Sequence, residues 1–460
     1  MRHTTHDIIV IGAGSGGLTT AIFMQREGFR VLLVDRTKES FGGDCLNYGC
    51  VPSKALISLS KSYRGTGEND IKTILDTVKK RQNIIRTHEN PDYLQSIGID
   101  IAIGDAVFTG KTSIEVDGTS YSAKKIVIAT GSRPRPLTIP GSGLPPTYTN
   151  ESVFSMTQLP KEFVFIGGGP IAIELGQAFN RLGSHVTIIQ SSDRILPRED
   201  PEVSQLIRDV LEADGVTIIT NAAVQEIKDG GLIIKTGDDE LRTINADAVF
   251  VAIGRIPNLE QLQLNKAGIK QDDKGSVVLD STLRTTNKAV FVIGDAAGKE
   301  MFTHVAELQA QLVLRNFFSP FKKSYQSEKL GWTTFTDPEV STFGLSKQQL
   351  GKAHMAFEEV SVSLADDDRA ITEDATNGFL KIFVSKKGHI LGGTMVGNRS
   401  GEVTSELLLM MHSNISLGAV LSKPFPYPIS SRVIQTAARE FSAKTLYSSR
   451  TQRLLHFLYR

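Results

Sequence analysis

Two cysteines close together are the first residues that could do redox chemistry. They are Cys45 and Cys50, within Gly42-Gly-Asp-Cys-Leu-Asn-Tyr-Gly-Cys-Val-Pro-Ser-Lys54, and the 460-residue sequence holds no other cysteine. Residues five apart in a regular helix have Cα atoms about 8.5 Å apart, whereas a disulfide needs less than about 7 Å. The backbone must therefore be distorted there, for which Gly49 and Pro52 are suited. A strained, accessible disulfide is easily reduced, which favours a catalytic pair.

A lysine follows the second cysteine at helical spacing. Lys54 lies four positions after Cys50, so a helix would place its ammonium on the same face as that sulfur. A nearby cation favours the thiolate, which is the reactive form of cysteine. The alternative is a lysine solvated at the surface. The segment therefore predicts a catalytic role for Cys45, Cys50 and Lys54.

The element that must position this segment is a dinucleotide-binding unit at the N-terminus. A buried strand from Asp7 runs into a G-x-G-x-x-G loop, and a helical stretch and a second strand ending at Asp35 follow. The loop glycines, Gly12, Gly14 and Gly17, permit a tight turn and let backbone N–H groups approach a pyrophosphate. Asp35 can accept hydrogen bonds from a ribose. These features form a complete dinucleotide fingerprint.

The same unit recurs 155 positions later. Adding 155 to the fingerprint positions leads to Gly167, Gly169, Ala172 and Gln190, again on strand, loop and strand. This repeat predicts two copies of one fold unit and two bound dinucleotides. The alternative for either loop is a tight turn without a ligand.

Strand ends supply further candidate dinucleotide-binding residues. The two units close with similar strands that end in Thr130-Gly131-Ser-Arg-Pro and in Gly254-Arg-Ile-Pro. Another strand ends in Gly294-Asp295, and α/β sheets bind ligands at this carboxyl edge. We therefore include Thr130, Gly131, Gly254, Gly294 and Asp295 among the candidates.

Composition along the chain predicts its organisation. Five prolines between positions 134 and 146 favour a stiff linker, with a boundary near 150. From Trp332 onward the glycine loops stop, and strand-like runs alternate with a helix over Glu402 to His412. The predicted fold class is α/β, with two Rossmann-like dinucleotide-binding domains and a C-terminal α+β domain. The predicted domains are 1–150 with 275–330, 151–274, 331–441, and a tail over 442–460.

Charge and hydropathy exclude two classes of protein. The 51 basic and 50 acidic side chains leave a net charge of +1, whereas a protein that coats nucleic acid needs a basic surplus. No apolar run approaches the roughly 20 residues that span a bilayer. We therefore expect a soluble, cytoplasmic protein without a nucleic-acid partner.

Together these motifs resemble the flavoprotein disulfide reductases, the family of dihydrolipoamide dehydrogenase, glutathione reductase and mercuric reductase. The resemblance rests on the cysteine segment, both glycine loops, the Gly254-Arg-Ile-Pro-Asn strand end and the Val-Ile-Gly294-Asp-Ala element, and it covers nearly the whole chain. It implies FAD in the first unit, NAD(P)H in the second, and a C-terminal domain that builds a homodimer.

The resemblance also implies roles for single residues. Cys50 resembles the thiol beside the flavin, and Cys45 the thiol that meets the substrate. Lys54 resembles the lysine near the flavin N5, paired with Glu174, and a buried lysine and glutamate are tolerable only as a pair. Asp295 would lie on the ribityl chain of FAD. The implied reaction passes electrons from NAD(P)H through FAD to the disulfide and on to an acceptor.

The C-terminal motif departs from the family pattern. Members that act on thiols carry His-Pro-Thr-x-x-Glu, in which the histidine is the acid and base for the interchange thiol. Here the stretch from Phe425 to Arg432 has Tyr427 and Arg432 in place of that pair. A phenol with a pKa near 10 is a poor base at neutral pH. We predict that Tyr427 reaches the partner subunit's dithiol, with His304 and His412 as alternatives for the proton work.

The departures leave the acceptor open as a disulfide, a metal ion, a quinone or an oxidant, on a small molecule or a small protein. One alternative is a dihydrolipoamide dehydrogenase-type activity, and another is a redox-sensing flavoprotein with little turnover. The Pro-Tyr pair resembles mercuric reductases, but those end in a second cysteine pair that is absent here. No resident metal site is predicted. Gln190 leaves the choice between NADH and NADPH open, because it lacks the carboxylate that repels a 2′-phosphate.

The last twenty residues, Phe441 to Arg460, form a basic amphipathic tail. They include Lys444, Arg450 and Arg453 and no acid, interleaved with leucines and aromatic residues. Two interpretations stay open. The tail either packs as a helix on its own dimer or makes a peripheral contact with an anionic membrane.

Overall fold

The computed structural model describes residues 3–63, 70–141 and 145–459, which form two compact units. The first unit comprises Met1–Ser191 and Gly215–Tyr325, and the second comprises Ser192–Asp214 and Gln326–Arg460. Residues 142–144 of the predicted linker lie outside the described residues, as do Arg460 and the side chain of Arg450 in the tail. The finer domain boundaries remain predictions.

The strands are mostly short and lie in both units. In chain order they are β1 (His3–Ile11), β2 (Val31–Asp35), β3 (Asp100–Ile103), β4 (Ala106–Gly110), β5 (Ser113–Val116), β6 (Thr119–Ile128), β7 (Ser132–Pro134), β8 (Thr147–Tyr148), β9 (Glu162–Ile166), β10 (His185–Ile189), β11 (Thr217–Ile219), β12 (Ala222–Lys228), β13 (Gly231–Thr236), β14 (Leu241–Asn245), β15 (Ala248–Val251), β16 (Arg255–Pro257), β17 (Val290–Val292), β18 (Gly331–Thr334), β19 (Glu339–Gly344), β20 (Glu358–Ser363), β21 (Phe379–Val384) and β22 (Ile390–Gly397).

The helices lie between groups of these strands and at the end of the chain. They are α1 (Ser15–Arg26), α2 (Gly43–Asn47), α3 (Cys50–Tyr63), α4 (Ile71–Arg86), α5 (Pro91–Ser96), α6 (Pro170–Arg181), α7 (Pro201–Ala213), α8 (Thr303–Phe318), α9 (Lys347–Lys352), α10 (Asp368–Thr372), α11 (Ser400–His412), α12 (Val433–Leu446) and α13 (Ser449–Leu458). Among the described residues, no helix combines the length and apolar character that a membrane crossing needs.

The first sheet has the strand order β3-β2-β1-β6-β5-β4, with β17 also paired to β6. β1 pairs in parallel with β2 and β6, and its residues Ile8, Ile9 and Val10 are fully buried. A continuous apolar run is expected in a parallel strand that is covered on both faces. Helices α1 and α8 pack against one face through Ala21, Ala310 and other apolar side chains. The predicted α/β architecture is confirmed.

The second sheet repeats this arrangement in the order β11-β10-β9-β15-β8, with parallel pairing. Helix α6 follows β9 as α1 follows β1. Phe163 of β9 packs against Phe165 and Phe179 with ring centroids 4.7 Å and 5.2 Å apart. An antiparallel sheet of β12, β13 and β14 follows. The predicted second copy of the fold unit is confirmed.

The second unit is built on an antiparallel sheet in the order β18-β19-β22-β21-β20. The predicted helix over 402–412 corresponds to α11, but the prediction of a single helix in this domain was wrong, because α9, α10 and α12 also occur. The short helices α9 and α10 depend on local features that an apolar pattern does not show. For example, α9 begins at a capping box in which Ser346 and Gln349 bond to each other's backbone N–H groups.

The segment Ser192–Asp214, which follows β10 in the chain, belongs to this C-terminal unit. It contains Glu199, which is buried and accepts hydrogen bonds from Trp332 Nε1 at 2.9 Å and Thr342 Oγ1 at 2.5 Å. Burial raises the pKa of Glu199, although these two hydrogen bonds oppose the change. In the following helix, α7, Glu202 pairs with the buried Lys381 of β21. Side-chain contacts therefore hold α7 on the antiparallel sheet.

Candidate active site

The two cysteines lie on different helices that meet at a break in the backbone. Cys45 is in α2 and Cys50 begins α3, with Tyr48 and Gly49 between the helices. A Cβ atom on Gly49 would lie 2.9 Å from the Asp44 carbonyl oxygen, so the close approach requires glycine. The predicted distortion is confirmed at this position. Pro52, however, lies in the first turn of α3, where proline is tolerated without breaking the helix.

Helix α4 fixes the chain between the cysteines. Gln82 Nε2 donates to the carbonyl oxygens of Leu46 at 2.8 Å and Asn47 at 3.0 Å. Arg86 donates to Asn47 Oδ1 at 2.6 Å, while Asn47 Nδ2 donates to the Gly43 carbonyl at 2.9 Å. Because Gln82 and Asn47 are buried, these bonds hold the redox segment in one conformation.

The two thiols differ strongly in acidity. A hydrogen bond from Cys45 is the largest cause that lowers the pKa of Cys50 to about 6. The Thr303 hydroxyl, 3.3 Å from the Cys50 sulfur, and the charge of Lys54 act in the same direction. The hydrogen bond to Cys50 and burial both raise the pKa of Cys45. Near neutral pH the dithiol therefore holds a thiolate at Cys50 and a proton at Cys45.

Lys54 and Glu174 form an ion pair between the two glycine units. Lys54 Nζ on α3 lies 2.8 Å from Glu174 Oε2 on α6, and the Glu174 side chain is only 7% exposed. A carboxylate at this depth is stabilised by its partner. The implied pairing is therefore present, and the catalytic role of both residues remains a prediction.

The first glycine loop forms a cradle whose tight turn leaves no room for a side chain at two of its glycines. A Cβ atom on Gly12, where φ is +108°, would lie 2.3 Å from the Ala129 carbonyl oxygen, and one on Gly17 would lie 1.9 Å from the Gly12 carbonyl oxygen. Gly14 precedes α1, and among the described residues no side chain caps this helix. Its first N–H groups therefore face the cradle, as a pyrophosphate requires.

Asp35 closes the same loop. Its Oδ2 accepts a 2.6 Å hydrogen bond from the Ala13 N–H, and its Oδ1 accepts one of 2.5 Å from the Ser40 hydroxyl. These bonds hold the carboxylate at the end of β2. The geometry fits the adenosine half of a dinucleotide, whose ribose hydroxyls a carboxylate can bind.

The second loop has the same backbone and a different side chain at its end. Gly167 has φ +109°, and its Cβ would lie 2.4 Å from the Ala252 carbonyl oxygen. Gly169 precedes α6, again without a side-chain cap among the described residues. Gly168 N donates to Gln190 Oε1 at 2.9 Å, as Ala13 N donates to Asp35. The cradle therefore fits a second dinucleotide.

The closing strand ends lie side by side, because β7 and β16 pair antiparallel. Thr130 Oγ1 donates to the Asn258 carbonyl at 2.7 Å, and Asn258 Nδ2 donates back to the Thr130 carbonyl at 3.1 Å. Gly131 and Gly254 both have positive φ, at +66° and +107°. The structure thus places these strand-end candidates together, while their contact with a nucleotide remains a prediction.

Sequence reasoning missed an arginine that joins the redox segment to a predicted FAD residue. Arg255 Nη2 lies 3.2 Å from Asp44, the neighbour of Cys45, and Arg255 Nε lies 3.7 Å from Asp295. Ser132 Oγ links Arg255 to Asp295, because it donates to Asp295 at 2.5 Å and accepts from Arg255 Nε at 2.7 Å. Burial raises the pKa of Asp295. The Gly254-Arg-Ile-Pro motif marks the position of this arginine in the sequence, but the motif alone does not indicate which residues it contacts.

The structure also places Gly294 and the candidate proton carriers. Gly294 N donates to the buried Gln309 Oε1 at 2.7 Å. His304 follows Thr303 on α8, and its ring stacks on Phe302 with centroids 5.5 Å apart. In the C-terminal compact unit, Tyr427 is 68% exposed, and the Arg432 guanidinium lies 4.9 Å from its ring. His412 Nε2 makes a hydrogen bond with the Lys329 carbonyl. The choice among these side chains for proton work remains a prediction.

Comparison with known proteins identifies the family. Residues 6–310 match the family called pyridine nucleotide-disulphide oxidoreductase, and residues 331–438 match its dimerisation domain. The chain belongs to this family. It is therefore a flavoprotein disulfide reductase family enzyme, and this family is FAD-dependent and uses NAD(P)H.

Relatives within this family cover nearly the whole chain. The dihydrolipoyl dehydrogenase of Mycoplasma genitalium is 30% identical over 462 residues, covering 95% of this chain and 98% of the relative. The mercuric reductase of Staphylococcus aureus is 29% identical over 457 residues, covering 96% and 83%. Among solved structures, the HOCl-induced flavoprotein disulfide reductase RclA from Escherichia coli matches with a TM-score of 0.86, 27% identity, and coverage of 95% and 99%.

Proposed function

We propose that the chain is an NAD(P)H oxidoreductase that carries electrons through Cys45 and Cys50 to an external acceptor. The observation that supports this most directly is the placement of the two cysteines on either side of the break between α2 and α3, with Lys54 one helical turn after Cys50. The first cradle would hold FAD, and the bound flavin and NAD(P)H would supply the hydride and electron-transfer chemistry that reduces the disulfide. The cysteines are the residues that link this step to the acceptor.

We assign the first cradle to FAD and the second to NAD(P)H. The N–H groups after Gly14 would hold the FAD pyrophosphate, and Asp35 would bind its ribose. Asp295, kept in place by Ser132 and Arg255, would bind the ribityl chain. For the second nucleotide, we assign the loop residues Gly167 and Gly169 and the residues Gln190 and Gly254.

Proton handling at the dithiol follows from the two acidities. When the sulfur–sulfur bond takes up two electrons and breaks, one proton goes to Cys45, whose pKa is raised. Cys50 remains a thiolate near neutral pH, stabilised by the Cys45 thiol, Thr303 and Lys54. When the dithiol gives up two electrons to an acceptor, the disulfide forms again and the Cys45 proton is released.

A soft metal ion is the acceptor class that we favour. The Cys50 thiolate binds soft ions, Cys45 can become a second sulfur ligand when the metal displaces its proton, and the reduction of two Cu²⁺ to two Cu⁺ consumes electrons only. Reduction of a disulfide also needs protons, and the motif from Phe425 to Arg432 lacks the histidine that would supply them. Among the relatives are mercuric reductases, and RclA has been solved as a Cu(II) complex. In this proposal the metal ion is a substrate that meets the sulfurs of Cys45 and Cys50, not a resident cofactor.

An acceptor panel with both nucleotides tests this proposal. We would measure NADH and NADPH oxidation with Cu²⁺, Hg²⁺, lipoamide, glutathione disulfide and a quinone. Cys45→Ser should lower turnover with the preferred acceptor by about 100-fold or more while leaving anaerobic flavin reduction intact. Ser58→Ala, an exposed position on the same helix as Cys50, is the matched control.

Three outcomes would contradict the proposal or its preferred acceptor. Full acceptor turnover in Cys45→Ser would show that electrons bypass the dithiol. Fast flavin reduction without turnover on any acceptor would favour a redox-sensing flavoprotein. Faster turnover with lipoamide than with either metal would replace the metal with the dihydrolipoamide dehydrogenase-type activity.

We further propose that the functional form is a homodimer, as the match to the family's dimerisation domain suggests. In this dimer Tyr427 would approach the partner subunit's dithiol and donate a hydrogen bond there. Its exposure within one protomer is compatible with such a contact. Light scattering tests the dimer, and Tyr427→Phe should lower acceptor turnover several-fold, by about 1 kcal/mol, without changing flavin reduction.

A further inference from the structure

The C-terminal end of the chain leaves the core of its unit and continues as an exposed helix. Helix α12 is anchored in that core by Val433, Ile434, Ala437 and Ala438, and Phe441 is the last residue that packs against it. Lys444 then pairs with Glu358 at 2.9 Å. The chain from Leu446 to Tyr459 adds no residue to the apolar cluster of the described residues.

Helix α13 presents apolar side chains to solvent. Leu454, Leu455 and Leu458 are 56%, 54% and 68% exposed, and Phe457 and Tyr459 are 75% and 95% exposed. At about 100° per residue the three leucines share one face of the helix, with Arg453 and His456 opposite. An exposed apolar face beside a basic face is typical of helices that lie in a membrane interface.

The charge of the tail indicates what covers this face. From Phe441 to Arg460 the sequence holds Lys444, Arg450, Arg453 and Arg460 and no acidic residue. Two such tails repel each other, so the tails of two subunits cannot pair by charge. An anionic lipid surface attracts the basic residues beyond Lys444, which is already paired with Glu358, at about 1 kcal/mol for each basic side chain near the surface.

We propose that residues 447–459 dock the enzyme on anionic lipid bilayers. The leucine face of α13 inserts at the level of the headgroups, while the basic side chains contact lipid phosphates. A helix of 10 residues is about 15 Å long, so it lies in the interface and does not span the bilayer. This inference is independent of the acceptor and of the cysteine chemistry.

Vesicle flotation of the full-length holoenzyme tests the proposal. We expect binding to vesicles of phosphatidylcholine with 30% phosphatidylglycerol, and about tenfold less binding to pure phosphatidylcholine or in high salt. Leu454→Gln combined with Leu458→Gln should lower binding by about tenfold or more, because two buried leucines are lost. Arg453→Glu should lower it several-fold. Leu241→Gln, at a 65% exposed leucine in the first unit, is the matched control and should bind like the wild type.

Absorbance of bound flavin and NAD(P)H oxidation in solution should be unchanged in all these variants. Equal binding of wild type and the double leucine variant to anionic vesicles would overturn the proposal, as would failure of the wild type to bind. A shift of the double leucine variant from dimer to monomer in light scattering, with no vesicle binding by the wild type, would assign the face to a second copy of the chain. Binding to pure phosphatidylcholine as strong as to anionic vesicles would also overturn the role of charge.

Discussion

The two glycine-loop units have nearly the same backbone and different chemistry. Gly12 and Gly167 adopt φ values of +108° and +109°, and in each case a carbonyl oxygen of the closing strand leaves no room for a side chain. Both helices that follow begin without a side-chain cap among the described residues. The features that the two units share are therefore those that any pyrophosphate requires.

The units differ at the end of the second strand. Asp35 and Gln190 both accept a hydrogen bond from the loop, from Ala13 N and Gly168 N. One acceptor is a carboxylate and the other a neutral amide, so a negative charge stands at this strand end in the first unit and not in the second. Under the proposed cofactor assignment, the two units would therefore treat the ribose groups of their nucleotides differently.

The units also differ in what the chain adds to them. Only the first glycine-loop unit is followed by the two helices that carry Cys45, Cys50 and Lys54. The second glycine-loop unit contributes Glu174, which pairs with Lys54. The candidate catalytic residues thus lie on additions to a repeated scaffold, and the ion pair between Lys54 and Glu174 joins the two copies. The comparison leads to three predictions.

A substitution at the third position of the glycine loop should give the largest difference between the two glycine-loop units. Gly17→Ala places a Cβ atom 1.9 Å from the Gly12 carbonyl oxygen, whereas the equivalent position in the second unit is already Ala172. We expect Gly17→Ala to destabilise the protein by about 3 kcal/mol and to lose flavin. Ala172→Gly should cost only about 1 kcal/mol. Urea unfolding and flavin content after gel filtration measure both, and similar losses in the two variants would contradict the comparison.

The ribose-site difference should control nucleotide preference. Gln190→Glu retains an oxygen that accepts from Gly168 N and adds the charge present in the first unit. This charge repels a 2′-phosphate, so kcat/KM for NADPH should fall by about tenfold relative to NADH. Steady-state kinetics with both nucleotides measure the ratio. The control is Asp35→Asn, which should weaken flavin retention and leave the ratio unchanged; an unchanged ratio in Gln190→Glu would refute the assignment.

The ion pair between Lys54 and Glu174 should influence the pKa of the Cys50 thiol. Lys54 lowers the pKa of Cys50 and Glu174 raises it. Lys54→Met should therefore raise that pKa and slow alkylation of Cys50 at pH 6.5 by about threefold, whereas Glu174→Gln should lower it. In the wild type, alkylation of reduced Cys50 should rise through pH 6, because its pKa is about 6 instead of 9.0. Alkylation rates followed by peptide mapping measure this, and changes of equal sign in the two variants would contradict it.

The sequence alone was sufficient for the features that depend on local spacing. The glycine loops, the 155-residue repeat and the break between Cys45 and Cys50 follow from residue types at fixed short distances, and each is present in the structure. The α/β class and the family follow from the same motifs. Helices without a strong apolar pattern, such as α9 and α10, were not found in this way.

Only the tertiary structure decided which distant residues meet. Spacing gives no sign that Arg255 lies between Asp44 and Asp295, and the pairing of Lys54 with Glu174, 120 positions away, was implied by family resemblance alone. The attachment of Ser192–Asp214 to the C-terminal sheet was equally hidden. These contacts depend on the order of strands within sheets and on the packing of helices against them. Local sequence patterns determine the elements and their loops, whereas long-range packing determines which of their side chains share a site.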